Sequence, residues 1–176
     1  MALPDVLLRA PTPADQHAFL SAVKRSRRLH RPWVYPPGAA AAFDSFLERI
    51  ARPTHSSQLI VDAHTGDIAG IVNLSEIVRG SFQSAYLGFF AFAGWEERGY
   101  MRRGLQLVCA YAFRRLRLHR IEANVQPENT RSRSLVRRLG FRREGLSRRY
   151  LKIGGRWRDH ERWALLAEDW KEGLHR

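Results

Sequence analysis

The residues of greatest chemical interest meet at one junction. Phe89-Phe90-Ala91-Phe92-Ala93-Gly94 reads as the end of a strand, and Trp95-Glu96-Glu97-Arg98-Gly99-Tyr100-Met101-Arg102-Arg103 as a loop running into a helix. The first backbone N–H groups of a helix have no internal partners. With the positive end of the helix dipole they form a site for an anion such as a pyrophosphate, and a glycine lets that anion come close. Each dipole contact is worth only roughly 0.3–1 kcal/mol when exposed. A tight site therefore needs several donors together with Arg98, Arg102 and Arg103. A glycine before a helix also builds an ordinary turn, so the junction alone leaves both readings open.

The elements around it follow from periodicity. Val6 to Arg9 reads as a short strand. Thr12-Pro13-Ala14-Asp15 is a helix start, with Thr12 as cap and Pro13 at the first helical position, and this helix is expected to run to about Lys24. His30 to Gly38 is a breaker-rich loop carrying Trp33 and Tyr35, followed by a helix from Ala40 to Ile50. Gln58 to Ala63 and Ile68 to Ile77 are β-branched runs separated by a hairpin turn, and Ser84 to Phe92 is a third long strand. From Gly99 the period becomes helical, with Met101, Leu105, Val108, Cys109, Ala112 and Leu116 on one face. Ile121 to Val125 is a strand and Asn129 to Leu139 a helix ended by Gly140. Leu146 to Ile153 and Trp157 to Leu166 form a last hairpin around Gly154-Gly155. The expected fold is one α/β (α+β) domain over 1–176, with a mixed, mostly antiparallel sheet flanked by helices.

Composition narrows the class. A chain of 176 residues with 44% hydrophobic residues can bury a core as one domain. Cys109 is the sole cysteine, which leaves no intramolecular disulfide and fits a reducing compartment. The Met1-Ala2-Leu3-Pro4-Asp5 start has no basic-then-apolar leader, and no apolar run reaches the length of a membrane span, so a cytoplasmic protein without a membrane partner is expected. The net charge is +13, with 30 Lys+Arg against 17 Asp+Glu. A field of that sign attracts nucleic acid, ribosomal surfaces, anionic lipid or acidic cofactors without choosing among them. An arginine-rich codon bias on a solvated surface would give the same charge.

Ordered blocks carry a more specific message. Ala85-Tyr86-Leu87-Gly88-Phe89, Trp95 to Met101, His119-Arg120-Ile121-Glu122-Ala123-Asn124, Asn129-Thr130-Arg131-Ser132, Leu139-Gly140-Phe141, Glu144-Gly145 and Trp157-Arg158-Asp159-His160 follow one another along nearly the whole chain. In this order they resemble the GNAT superfamily of N-acetyltransferases, and within it the branch that acetylates the N-terminal alanine of ribosomal proteins. The Arg31-Pro32-Trp33 loop and Arg79-Gly80-Ser81-Phe82 also fit that branch. The resemblance implies a sheet of about seven strands with two splayed neighbours, acetyl-CoA in the cleft between them, and no metal. It implies that Phe90, Ala91 and Phe92 offer backbone to the pantetheine arm, and that Arg98, Gly99, Tyr100, Met101 and Arg102 form the pyrophosphate loop. It further implies that Asn129 contacts the cofactor arm and that Ser132 lies near the thioester sulfur. Met101 stands where the family pattern has a small residue. Glu96 and Glu97 bring negative charge toward a polyphosphate, which weakens binding if they point inward.

Acyl transfer to an amine requires an uncharged nucleophile, a polarised carbonyl and a proton for the departing thiolate. An unperturbed α-amine titrates at roughly 8, against about 10.4 for lysine, so an N-terminus needs the weaker base. The resemblance puts a glutamate base at the position of Tyr86 and a tyrosine acid at that of Val136, so neither familiar group is present. Glu76 is the substitute base candidate, or else a solvated carboxylate at a strand end. Ser132 is the remaining acid candidate, or else a first-turn hydroxyl bonded to backbone. Trp33 and Tyr35 either line the acceptor opening or pack the proline-rich loop. His119 and His160 lack partners at metal-ligand spacing and read as structural or surface residues, and Cys109 as core. The expected function is acetyl transfer from acetyl-CoA to a primary amine, either the N-terminus of a (ribosomal) protein or a small molecule. The alternative is a basic ribosome- or RNA-binding module on the same scaffold. Monomer and homodimer both remain open.

Overall fold

Leu59, Ile60 and Val61 are consecutive and all buried, because the strand that carries them has a core on each face. The computed structural model describes residues 3–170. Strands β1 (Val6–Arg9), β2 (Ser56–Asp62), β3 (Ile68–Val78), β4 (Ser84–Ala91), β5 (Arg120–Val125), β6 (Arg142–Ile153) and β7 (Arg156–Leu166) form one sheet in the order β1-β2-β3-β4-β5-β7-β6. The β4–β5 pair is parallel and every other neighbouring pair is antiparallel. Helices α1 (Gln16–Arg25), α2 (Arg27–His30) and α3 (Ala40–Ile50) serve one face; α4 (Tyr100–Ala110) and α5 (Thr130–Arg138) serve the other.

The two-residue period of a strand sorts side chains between these layers. Ile60 and Val72 join Leu105, Val108, Cys109 and Val136 beneath α4 and α5. Leu59, Val61 and Ile71 join the ring cluster of Phe19, Phe43, Phe46 and Phe92 beneath α1 and α3, where the Phe19 and Phe43 centroids lie 5.0 Å apart. Among the described residues no helix is long and apolar enough to cross a membrane.

Three local details depart from the sequence pattern. The first helix opens with a 3₁₀ turn, Pro13–Asp15, whose N-cap Thr12 forms a capping box with Asp15. In it the Asp15 carboxylate accepts from the Thr12 N–H at 2.8 Å and from Arg9, which holds the carboxyl below its ordinary range. Beyond α4 the chain continues as a π turn, Tyr111–Arg115, whose wider winding lets both Ala112 and Phe113 reach the core. The last hairpin is longer than its apolar run: β6 starts at Arg142, pairs only with β7, and bulges between Ser147 and Leu151. Such a bulge twists an edge strand out of a continuous ladder.

Candidate active site

Parallel pairing of β4 with β5 lasts three residues, ending at Tyr86 opposite Glu122. From there β4 runs on to Ala91 against β3, and β5 runs on to Val125 against β7. The strands diverge, and a cavity of about 1050 Å³ opens between Leu87–Ala91 on one side and Asn124–Gln126 on the other. The Phe92 N–H donates to the Ala69 carbonyl at 2.9 Å. Because antiparallel pairs alternate, Phe90 forms the next hydrogen-bonded pair with Ile71, while the backbones of Phe89 and Ala91 face the gap. The Ala91 carbonyl is already taken by His30 Nε2 at 2.8 Å. Of the Phe89 and Ala91 backbone groups, those left open to the gap are thus the N–H and C=O of Phe89 and the N–H of Ala91. Phe90 lines the cavity with its side chain only. Phe92 is buried in the phenylalanine cluster and does not line it, which corrects the expectation for that residue.

Gly99 caps α4 in the left-handed region at φ 88°, with Pro4 and Leu3 packed beside its Cα. The N–H groups of Tyr100, Met101 and Arg102 follow at the open end of the helix. The Tyr100 side chain turns away from the cavity: it is buried, its hydroxyl donates to the Asp62 carboxylate, and its ring meets Trp95 edge-on at 4.7 Å. That hydrogen bond, with the N–H groups of Thr65 and His64, brings the Asp62 carboxyl down to about 2. The oversized Met101 fits because its sulfur lies over Gly70, where a Cβ would sit 2.6 Å from it. Arg98 lies over the Trp95 ring at 4.9 Å and donates to the Gly94 carbonyl. The Glu96 carboxylate accepts the Gly94 N–H and so occupies one loop donor itself, whereas Glu97, which also lines the cavity, pairs with Arg131 of α5 at 3.2 Å.

At α5 the Asn129 side chain caps the helix by accepting the Ser132 N–H at 3.1 Å. The Ser132 hydroxyl has no hydrogen-bond partner among the described residues, so the backbone-bonded alternative does not apply. Arg133 anchors this end through the Pro127 carbonyl and the buried Glu161. Asn129 and Ser132 line the cavity opposite β4.

Trp33 lines the cavity on the α2 side and its carbonyl accepts from Gln126 Nε2 at 3.3 Å. Tyr35 stands outside, packed on Gly154. Glu76 is exposed at φ 49° in a bulge of β3 and does not line the cavity. Tyr86 is also outside its wall. The Tyr86 hydroxyl shares a hydrogen bond with that of Tyr150 at 3.2 Å, and this contact, with burial, pushes it up to about 12. A phenol so held stays protonated at neutral pH.

Two buried histidines line the cavity instead. His160 Nδ1 lies 3.0 Å from the Arg158 carbonyl, which can only accept. The ring proton therefore sits on Nδ1 and Nε2 keeps its lone pair. Burial lowers the pKa of His160 against a weaker upward pull from its backbone bond and Asp159, so the ring is neutral. His30 is held the same way through Nε2, with Nδ1 unpartnered. Sequence reasoning gave His160 a structural or surface role because it lacks partners at metal-ligand spacing, and its place on the cavity wall depends on how the last hairpin packs. Asn124 and Phe89 were missed too. The Asn124 Oδ1 and the Arg102 Nε are buried at the cavity without partners. These orphaned groups, the outward backbone of β4 and the open α4 terminus fit a long ligand with amides at one end and phosphates at the other, as CoA has.

An opened parallel strand pair leading into a glycine-capped helix is the architecture of an acyl-CoA-dependent acetyltransferase. The chain belongs to the GNAT acetyltransferase family, whose domain matches residues 5–142. It is 36% identical over 156 residues to the [ribosomal protein uS5]-alanine N-acetyltransferase of Escherichia coli, covering 84% of this chain and 80% of that protein. Among solved structures, Mycobacterium smegmatis RimJ in complex with CoA-disulfide superposes with a TM-score of 0.86 at 28% identity, covering 94% of this chain and 83% of that one. The ribosomal-protein-S5-alanine acetyltransferase of Vibrio fischeri gives a TM-score of 0.83 at 25% identity, with 97% and 98% covered.

Proposed function

We propose that this acetyltransferase moves the acetyl group of acetyl-CoA onto the N-terminal α-amine of a ribosomal protein in the cytoplasm. The observation that carries this reading is the neutral imidazole of His160 on the cavity wall, whose neighbouring carboxylates are engaged elsewhere, Asp159 by the Arg149 N–H and Glu161 by Arg133 and Arg143. An imidazole base is matched to an α-amine of pKa roughly 8 and poorly matched to a lysine at about 10.4. The relatedness to the uS5 alanine acetyltransferase over most of both chains supports the same acceptor class.

Bound acetyl-CoA would supply the activated acyl group as a thioester. The protein's own residues do the rest. The N–H groups of Tyr100 to Arg102, with Arg102, hold the phosphates. The backbone of Phe89 and Ala91 and the side chain of Asn124 align the pantetheine amides. Phe90 and Trp33 exclude water from the cavity. His160 Nε2 takes the proton that the attacking amine gives up, while the free Ser132 hydroxyl donates a hydrogen bond to the departing thiolate, which takes up its proton from solvent as His160 returns its own. Tyr86, locked to Tyr150, closes the apex of the gap.

The test is acetylation of synthetic peptides followed by mass spectrometry of the product. The expected outcome is one acetyl group on the α-amine, with a peptide blocked at its N-terminus but carrying lysine left unmodified. Acetylation of the lysine Nζ, or of spermidine in preference to the peptide, would contradict the reading.

A further inference from the structure

Two basic segments frame the acceptor side of the cavity. The α1–α2 corner presents Arg25, Arg27 and Arg28, and the β6–β7 hairpin presents Arg148, Arg149 and Arg156, all exposed. None of these guanidinium groups is paired with a carboxylate among the described residues. The two segments share one rim, because Tyr35, in the loop after α2, packs onto Gly154 at the hairpin turn. Arg28 from the first segment and Leu151 from the second both line the cavity.

The hairpin end also carries exposed aromatic surface: Trp157, which follows Arg156 in β7 and pairs with Lys152 of β6, is 61% accessible, and Tyr35, with Arg31 5.8 Å over its ring, is 52%. Unpaired arginines next to a bare indole suit a ligand with phosphates and flat bases. Guanidinium groups bind phosphate through two parallel N–H donors. Aromatic side chains stack on unpaired bases irrespective of sequence. An acidic polypeptide would satisfy the arginines and leave Trp157 unused.

Resting on the reading that the mouth receives a protein N-terminus, we propose that the α1–α2 corner and the β6–β7 hairpin form a docking surface for single-stranded RNA, holding an RNA-bound acceptor at the cavity. The surface lies outside the groups that bind acetyl-CoA or transfer protons, so RNA binding and turnover are separable.

The test uses the full chain with a fluorescein-labelled oligouridylate, read by anisotropy across a salt series. The triple variant Arg148→Gln/Arg149→Gln/Arg156→Gln is expected to lose at least 10-fold in affinity, with a log–log salt slope shallower by about 2. Trp157→Ala is expected to weaken binding about 5-fold or more at unchanged slope. Turnover of a free alanine peptide by both variants should stay within 2-fold of the parent, which also reports that they fold. Equal RNA affinity in parent and triple variant, or displacement of the RNA by polyglutamate as readily as by unlabelled RNA, would overturn the proposal. Loss of peptide turnover in the parent would instead count against the acceptor reading, leaving the RNA result to be judged separately.

Discussion

The Tyr100 hydroxyl donates to the Asp62 carboxylate and so ties the first residue of α4 to the last residue of β2. Gly99 and the open end of the helix are thereby held at the cavity by a side chain that does not touch it. Tyr100→Phe should weaken acetyl-CoA binding several-fold by calorimetry. Asp62 titrates at about 2 in the fold, below its unfolded value, so its stabilising contribution is present above about pH 4 and is lost as pH falls toward 2. In the variant the midpoint of acid unfolding should move up by as much as about one pH unit.

Gly99 has φ 88°, and proline fixes φ near about −65° while removing an N–H. Gly99→Pro should reduce acetyl-CoA affinity at least about 100-fold, measured by the loss of ligand-induced thermal stabilisation. A variant stabilised as strongly as the parent would show that this helix entrance does not bind the phosphates.

The Ser132 hydroxyl is free and its helix is anchored independently through Arg133. Ser132→Ala should therefore lower kcat about 100-fold while leaving acetyl-CoA affinity within about 2-fold. An unchanged kcat would remove Ser132 from stabilising the departing thiolate.

In the proposed mechanism His160 acts in its neutral form, and burial places its pKa below the ordinary value. In the parent kcat/KM for a peptide should rise with pH through a limb below about 6.5 and again toward about 8 as the amine loses its proton. His160→Gln should cost about 100-fold and abolish the lower limb only. Retention of that limb would assign it to another group.

Glu96 accepts the Gly94 N–H and adds negative charge to the loop proposed to hold the pyrophosphate. Glu96→Gln keeps an acceptor oxygen and removes the charge, so acetyl-CoA affinity should rise about 2- to 5-fold at low salt and less at high salt.

Much of this was legible from residue order. β1 and α3 fall where their patterns put them, and the strand–loop–helix junction at Phe89–Arg103 marks the site. What stayed hidden turns on parity and on distant packing. Which of Phe89 and Phe90 offers its backbone to the gap depends on the hydrogen-bond phase of β4 against β3, and shifting that phase by one residue exchanges them. Tyr100 belongs to the loop in sequence, yet Asp62, distant in sequence, turns it into the core. Glu76 looked like the substitute for a missing base, but the β3 bulge carries it outside the cavity wall. His160 acquires its burial and its tautomer from the way the β6–β7 hairpin packs on the rest of the domain, and the hairpin's own strand pattern does not announce that.

Amide hydrogen exchange with and without acetyl-CoA tests the gap between β4 and β5 most directly. Ligand should slow exchange at Phe89 and Ala91 and at Tyr100 to Arg102, and leave the β6–β7 turn at Gly154 and Gly155 unchanged. Unaltered exchange at Phe89 and Ala91 under saturating acetyl-CoA would contradict the account.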